Sequence, residues 1–340
     1  MKLIKDFAHR GNGSVLLEDN IMLAGVPAHA GSEILKGFTS PITATVATRL
    51  QAAGFAIAGT VATDELGIPS FFDNPAPPDS VTAVASGEVE FALANDIFGR
   101  VRAAAALAGV CYIRPTYGTV SRFGLIPTAT SMDAIGVVCR DPARGYELLE
   151  AIAGWDEKDG AMYQPPEFEG EFDETPPSHE DKARVATLVH APVDLEGAVK
   201  IDLPYAELYG EVLYILAAAE FSNNVNRYDG IAFGHRAADF RGLDELYTNT
   251  RAAFGIDVKL AAIMGAGLLS SENYATLYEQ AMKLRRLICD SVTFDGYDAI
   301  ALPCPDSLTY ENLGMFALPA LTGLPCRTLG GVQYVTKGKL

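Results

Sequence analysis

Serine hydroxyls, histidines and thiols are the groups in this chain that could attack a substrate or move a proton, and their spacing argues against most such chemistry. Ser86, Ser121 and Ser131 offer hydroxyls, but a serine nucleophile needs a base beside it and a third group to orient that base. GxSxG is absent, and His9, His29, His179, His190 and His235 stand in no triad motif. Each histidine reads as a surface or internally satisfied residue. The five cysteines (Cys111, Cys139, Cys289, Cys304 and Cys326) are odd in number, far apart and mostly set in apolar sequence. That pattern suits reduced core thiols, with Cys111 a structural thiol beside the PTYG loop. No CxxC or HxxxH pair suggests a metal site. HRGNGS lacks the strand-glycine-helix frame of a nucleotide loop, and Lys283, Arg285 and Arg286 read as a solvated helix face.

The elements that would hold such groups belong to a layered α/β architecture. The 340 residues are 49% hydrophobic, enough for a substantial core in one large domain or two ordinary ones. A formal charge of −17 argues against a nucleic-acid-binding face, which needs clustered lysine and arginine, and reads first as solubility through self-repulsion. No apolar run reaches membrane-spanning length and MKLIKDFAHRG turns polar early for a signal peptide, so a cytoplasmic location is expected.

Along the chain, helical spacing from Ala44 to Ala53 stops at Gly54, and FAIAGTVA follows as a buried strand. Ser80 is expected to cap a helix ending at Gly87. GEVEFALAND reads as a strand entering a loop, residues 103–110 as a small-residue helix, Met132 to Val138 as a strand, and Asp141 as the cap of a helix through Ala153. Between Gln164 and Lys182, seven acids and four prolines are too polar and broken to bury much surface, which predicts a solvated loop at about 164–182. The second half is helix-rich: Tyr209 to Asn226, Leu243 to Ala253, Val258 to Leu269, and a long amphipathic run from Glu272 to Val292. The strand AIALPC follows.

The stretch from Ala92 to Ile126, ALANDIFGRVRAAAALAGVCYIRPTYGTVSRFGLI, resembles the centre of the amidase-signature family. The family pattern is Gly-Ser-Asp-Thr-Gly-Gly-Ser-Ile-Arg, a short apolar helix, then Lys-Pro-Thr-Tyr-Gly. Asp96, Gly99, Arg102, Pro115, Thr116, Tyr117 and Gly118 keep their places. VSRFGL and the later SNNVNRYDG look most like the A-type subunit of glutamyl-tRNA(Gln)/aspartyl-tRNA(Asn) amidotransferases. The resemblance spans Gly13 to about Pro325. It implies a mixed, twisted central sheet covered by helices on both faces, here as a single shortened domain over 1–340.

The resemblance also implies amide hydrolysis by a serine, a second serine on a cis peptide and a lysine base, and at each of these places the residue differs. The lysine position of VLLEDNI is Glu18, followed by the retained Asp19 and Asn20. The Gly-Gly-Ser-Ser-Gly-Gly-Ser motif is matched by NPAPPD and Ser80, with no single residue assignable as the cis serine. The nucleophile position, last in Asp96-Ile97-Phe98-Gly99-Arg100, carries a guanidinium, which is no nucleophile at any accessible pH. Substrate-side positions differ too. Leu260 and Ala261 stand where paired arginines are expected, and Leu313 where an aspartate is.

These replacements predict a catalytically silent scaffold with no cofactor and no metal. Its partners would be the B- and C-type chains of an amidotransferase or an intact A-type chain, with no direct contact to nucleic acid or membrane. The competing expectation is an amidase or glutaminase with relocated groups. If the fold is kept, Glu18 and Arg100 should face each other as an ion pair plugging the old site, with Phe98 filling space left by glycine. Arg100 paired with Asp96, or reaching solvent, is the equal alternative. A third expectation is a small anion held by the loop amides of Ile97 to Gly99 and by Arg100.

Overall fold

The computed structural model describes residues 3–71, 76–162, 185–188, 195 and 197–337. The acidic stretch at 164–182 lies outside the described residues, as does the first part of NPAPPD. The strands are β1 (Leu3–Asp6), β2 (Gly11–Glu18), β3 (Ala56–Val61), β4 (Val89–Asn95), β5 (Cys111–Arg114), β6 (Ile135–Cys139), β7 (Val185–Leu188), β8 (Val199–Ile201), β9 (Ala299–Pro303), β10 (Cys326–Leu329) and β11 (Val332–Thr336). The helices are α1 (Thr45–Ala52), α2 (Asp79–Ala85), α3 (Arg100–Ala108), α4 (Pro142–Ile152), α5 (Tyr209–Val225), α6 (Leu243–Arg251), α7 (Ile256–Leu268), α8 (Glu279–Ser291) and α9 (Leu313–Thr322).

These strands form one mixed sheet in the order β1-β3-β2-β4-β6-β5-β10-β11-β9-β7-β8. β2 runs parallel to both β3 and β4, so the carboxyl ends of the three open onto one edge. A crevice outside the carboxyl ends of parallel strands is where α/β sheets place ligands. Side chains alternate across the sheet as strand geometry requires. Val15, Leu17, Phe91 and Leu93 pack with α1 and α4, whereas Leu16, Ala92 and Ala94 pack with α2 and α3. Helices therefore cover both faces, as expected, and strands buried on both sides read as continuous apolar runs.

Several expected elements match to within a residue or two. Asp141 caps α4 by accepting from the Ala143 amide, and Ala44 precedes α1. Ser80 differs from expectation. Pro78 is the residue that precedes α2, so Ser80 falls in the first turn, and its hydroxyl turns inward, where it is fully buried. The run from Glu272 also differs: Tyr274–Tyr278 is a π-helical turn, and α8 begins only at Glu279. The hairpin β10–β11 turns at Gly330-Gly331, both with positive φ, the backbone a two-residue hairpin turn demands. Cys111 and Cys139 are direct partners across β5 and β6, and all five cysteines are free thiols.

Candidate active site

Three parallel strands deliver the site residues. Glu18 is the last residue of β2, Thr63 and Asp64 follow β3, and Asp96 follows β4. Because the neighbouring strands are buried on both faces, these side chains emerge into a crevice with little access to water. Glu18 is 1% exposed. Its carboxyl lies 3.0 Å from Ser80 Oγ and 3.2 Å from Thr63 Oγ1. Burial pushes the Glu18 carboxyl up to about 8, with the nearby Asp64 adding to the rise and the Ser80 hydrogen bond opposing it. Near neutral pH Glu18 is thus a neutral acid, with each of its two oxygens facing a hydroxyl.

The expected Glu18–Arg100 ion pair does not form. Arg100 opens α3, and its Nε lies 3.7 Å from Asp64 Oδ2 while Nη2 donates to the Ala76 carbonyl at 2.6 Å. The physical reason is that a neutral Glu18 offers a cation little, whereas Asp64 is the carboxylate with partial access to solvent. Burial raises Asp64 to about 6 and Arg100 opposes that rise. A cation at the first position of a helix also faces the positive end of the helix dipole, so Arg100 needs these acceptors.

Asp96 has a different task. Its Oδ1 accepts the Gly99 amide at 2.7 Å; its Oδ2 accepts the Arg102 amide at 3.1 Å and Arg102 Nε at 2.9 Å. One carboxylate thus satisfies two amides of the first turn of α3 and neutralises a fully buried guanidinium. Arg102 goes on to donate to the carbonyls of Phe316 and Ile97 and to Gln333 Oε1. Asp19 ties two loops together by accepting the His29 and Thr63 amides, and burial raises its carboxyl. The amide group of the adjacent Asn20 is buried with neither atom hydrogen-bonded.

Ile97, Phe98 and Gly99 complete the wall. Gly99 has φ +103, and a Cβ there would meet the Phe316 ring at 2.2 Å. Phe98 is 2% exposed and packs edge-on to Phe71 and tilted against Tyr214. The crevice between Glu18, Asp64, Asp96, Phe98 and Arg100 has a volume of only about 20 Å³, room for a single water and not for an amide substrate. The anion expectation fails on the same geometry, since the Gly99 amide is already bonded to Asp96 and three carboxyls line the cavity.

The remaining candidates have structural partners. Ser121 donates to Asp156 at 2.7 Å, Ser86 to the Ala83 carbonyl, and Ser131 to Glu220. Arg285 is no solvated residue, contrary to the reading of its cluster. It donates to Ser131 Oγ and to the carbonyls of Ser131 and Leu321, while Lys283 and Arg286 pair at the surface with Glu279 and Asp290. Sequence reasoning missed Thr63 and Asp64, for which the only signal was their place just after a buried strand.

A family model described as Amidase matches residues 80–200 and 196–311. The chain belongs to the amidase family. The A-type subunit of glutamyl-tRNA(Gln) amidotransferase from Symbiobacterium thermophilum is 35% identical over 332 residues, covering 85% of this chain and 67% of that protein. Its counterpart from Thermotoga maritima is 32% identical over 365 residues, covering 92% and 76%. The crystal structure of a Thermotoga maritima glutamyl-tRNA(Gln) amidotransferase chain of this same type matches with a TM-score of 0.73 at 26% identity, over 96% of this chain and 79% of that one. Native peptide amidase of Stenotrophomonas maltophilia shares the fold, with a TM-score of 0.72 at 23% identity over 96% of this chain and 79% of that one. This amidase-family chain spans about two thirds of the length of the amidotransferase relatives first matched. Among the described residues no cluster suits a metal ion, and no helix is long and apolar enough to cross a membrane.

Proposed function

We propose that this member of the amidase family is catalytically silent and acts in the cytoplasm as a binding or structural protein. Its partners would be amidotransferase components, either B- and C-type chains or an intact A-type chain. The observation that carries this reading is the crevice itself, closed to about 20 Å³ around a guanidinium held by Asp64 and the Ala76 carbonyl. Hydrolysis would need an attacking group, a base with room for its proton, and space for a tetrahedral centre beside backbone donors. Arg100 supplies no attacking group, and the Gly99 amide that could steady an oxyanion is committed to Asp96. The similarity to the A-type chain of glutamyl-tRNA(Gln) amidotransferase supports the choice of partners.

A second reading, an amidase or glutaminase with relocated groups, has one observation in its favour: Ser80 Oγ lies 3.0 Å from the Glu18 carboxyl. Both are buried, and the carboxyl holds its proton to about pH 8, so the pair lacks both substrate access and basicity at neutral pH. Ammonia release from glutamine, measured with and without co-purified host proteins, separates the readings. Silence in both conditions together with recovery of amidotransferase components supports the first. Release abolished by Ser80→Ala would establish the second.

A further inference from the structure

Helix α7 carries two apolar faces where a surface helix ordinarily has one. Its inner line, Val258, Ala261, Gly265 and Leu268, is buried. At Gly265 it lies so close to α5 that an added Cβ would strike the Ala218 carbonyl. Its outer line is Ile256, Leu260, Ile263 and Gly267, with Met264 beside it. Ile256 and Ile263 are 66% and 70% exposed, Leu260 40% and Met264 37%. These four side chains leave roughly 400 Å² of apolar surface in water, the size at which such a patch marks a contact site.

The outer line can accommodate a second copy of itself. Four, three and four residues separate Ile256, Leu260, Ile263 and Gly267, a sequence of intervals that is the same read in either direction. A second copy of α7 laid antiparallel across a two-fold axis between Ala261 and Ala262 sets Leu260 against the other copy's Ile263. It also sets Ile256 against the other copy's Gly267. A Cβ added at Gly267 meets no packed neighbour within 4 Å, so open space lies where the partner's isoleucine would fall. Large against absent, and branched against branched, is the self-complementarity an isologous contact needs. No charged side chain stands on the line, and Lys259 at its flank folds back to donate to the Ala252 carbonyl. With Ala266, Gly267 and the flanks included, pairing would remove on the order of 1,000 Å² from water, the lower bound for a specific dimer.

We propose that α7 is the seat of a two-fold, antiparallel contact between two copies of this chain. This goes beyond the proposed function and does not depend on whether the crevice is silent. Each copy carries −17, so charge repulsion opposes the contact and salt should strengthen it. Sedimentation velocity on the full chain over two decades of concentration, at low and at high salt, tests the idea. The expected result is a monomer–dimer equilibrium that shifts toward dimer with salt. Ile263→Glu, at a position open enough to leave the monomer folded, should weaken it about 100-fold. Gly267→Leu is the sharper probe. It adds apolar surface and improves helix propensity, yet fills the space that the partner's Ile256 would occupy and should also weaken the dimer. A monomer under every condition, a dimer indifferent to Ile263→Glu, or a tighter dimer in Gly267→Leu would each overturn the proposal.

Discussion

Ser80 Oγ and Glu18 Oε1 lie 3.0 Å apart with both residues shut away from water, one on the first turn of α2 and the other at the end of β2. A hydroxyl beside a carboxyl looks like a nucleophile beside a base, but burial holds the proton on the carboxyl to about pH 8. That is a thermodynamic statement as well as a chemical one. An unfolded glutamate titrates near 4.5, so between 4.5 and about 8 the folded state holds a proton that the unfolded state has released. Stability from this group is undiminished below 4.5, falls as pH rises through the window, and levels off above 8. Urea unfolding at pH 5 and pH 9 should show a loss on the order of a few kcal/mol, and Glu18→Gln, neutral at every pH, should flatten the difference. A wild-type midpoint that rises between those two values would contradict this account of Glu18.

Arg100→Ser restores a hydroxyl at the helix start but should not restore hydrolysis, because Glu18 is protonated at neutral pH and the Gly99 amide stays with Asp96. The variant removes the cation that opposes the rise of Asp64. Asp64 should therefore titrate higher, and a cost of about 1–2 kcal/mol should appear at pH 7 and fade as pH falls and Asp64 takes up a proton. Thermal melts at pH 7 and pH 5 measure the cost, and an ammonia assay checks the silence.

The layered fold was readable because each local signal agreed with it: apolar runs for the strands buried on both faces, Asp141 as a cap, Gly54 as a stop. The retained Asp96, Gly99 and Arg102 lie on the loop after β4 and at the start of α3, beside the crevice. What could not be read was which charges would meet. The sequence offers Arg100 three nearby carboxylates, Glu18, Asp64 and Asp96, and the choice is made by desolvation and by competition. Asp96 is taken by Arg102 and two amides, Glu18 is neutral, and Asp64 is left. The end of α2 was legible but the direction of Ser80 was not, because a serine near a helix start satisfies the capping pattern whether it points to the backbone or into the core.

Arg102 should tolerate no substitution, lysine included. The guanidinium is fully buried and uses all three nitrogens: Nε reaches Asp96, Nη1 the Phe316 carbonyl and Gln333 Oε1, and Nη2 the Ile97 carbonyl. A lysine ammonium keeps the charge but is a single point with three donors and cannot reproduce the planar fork. Arg102→Lys should cost at least about 2 kcal/mol, and Arg102→Ala about 3–5 kcal/mol through the stranded Asp96 carboxylate. Chemical denaturation gives both values. Equal stability of the lysine variant would mean that charge alone holds α3 to β11 and α9.

Gly99→Ala tests how tightly the wall between the crevice and the core is closed. The residue sits at φ +103, a left-handed conformation that costs an alanine backbone strain, and its missing side chain is what lets the Phe316 ring approach. A Cβ would lie 2.2–2.5 Å from three Phe316 atoms, and this clash cannot be relieved by rotating a flexible side-chain end, since one of the three is Cβ of Phe316 itself. Helix α9 or the Asp96 loop must shift, which would also lengthen the Gly99 amide bond to Asp96 and loosen the Arg102 network. The expected loss is about 3 kcal/mol or more. Phe316→Ala combined with Gly99→Ala removes the two closest contacts, Cγ and Cδ1, and keeps Cβ and the strain at φ, so the double variant should lose less stability than the two single losses added together. If Gly99→Ala alone unfolds at the same denaturant concentration as the parent, the close packing of α9 on this loop is not what holds the crevice shut.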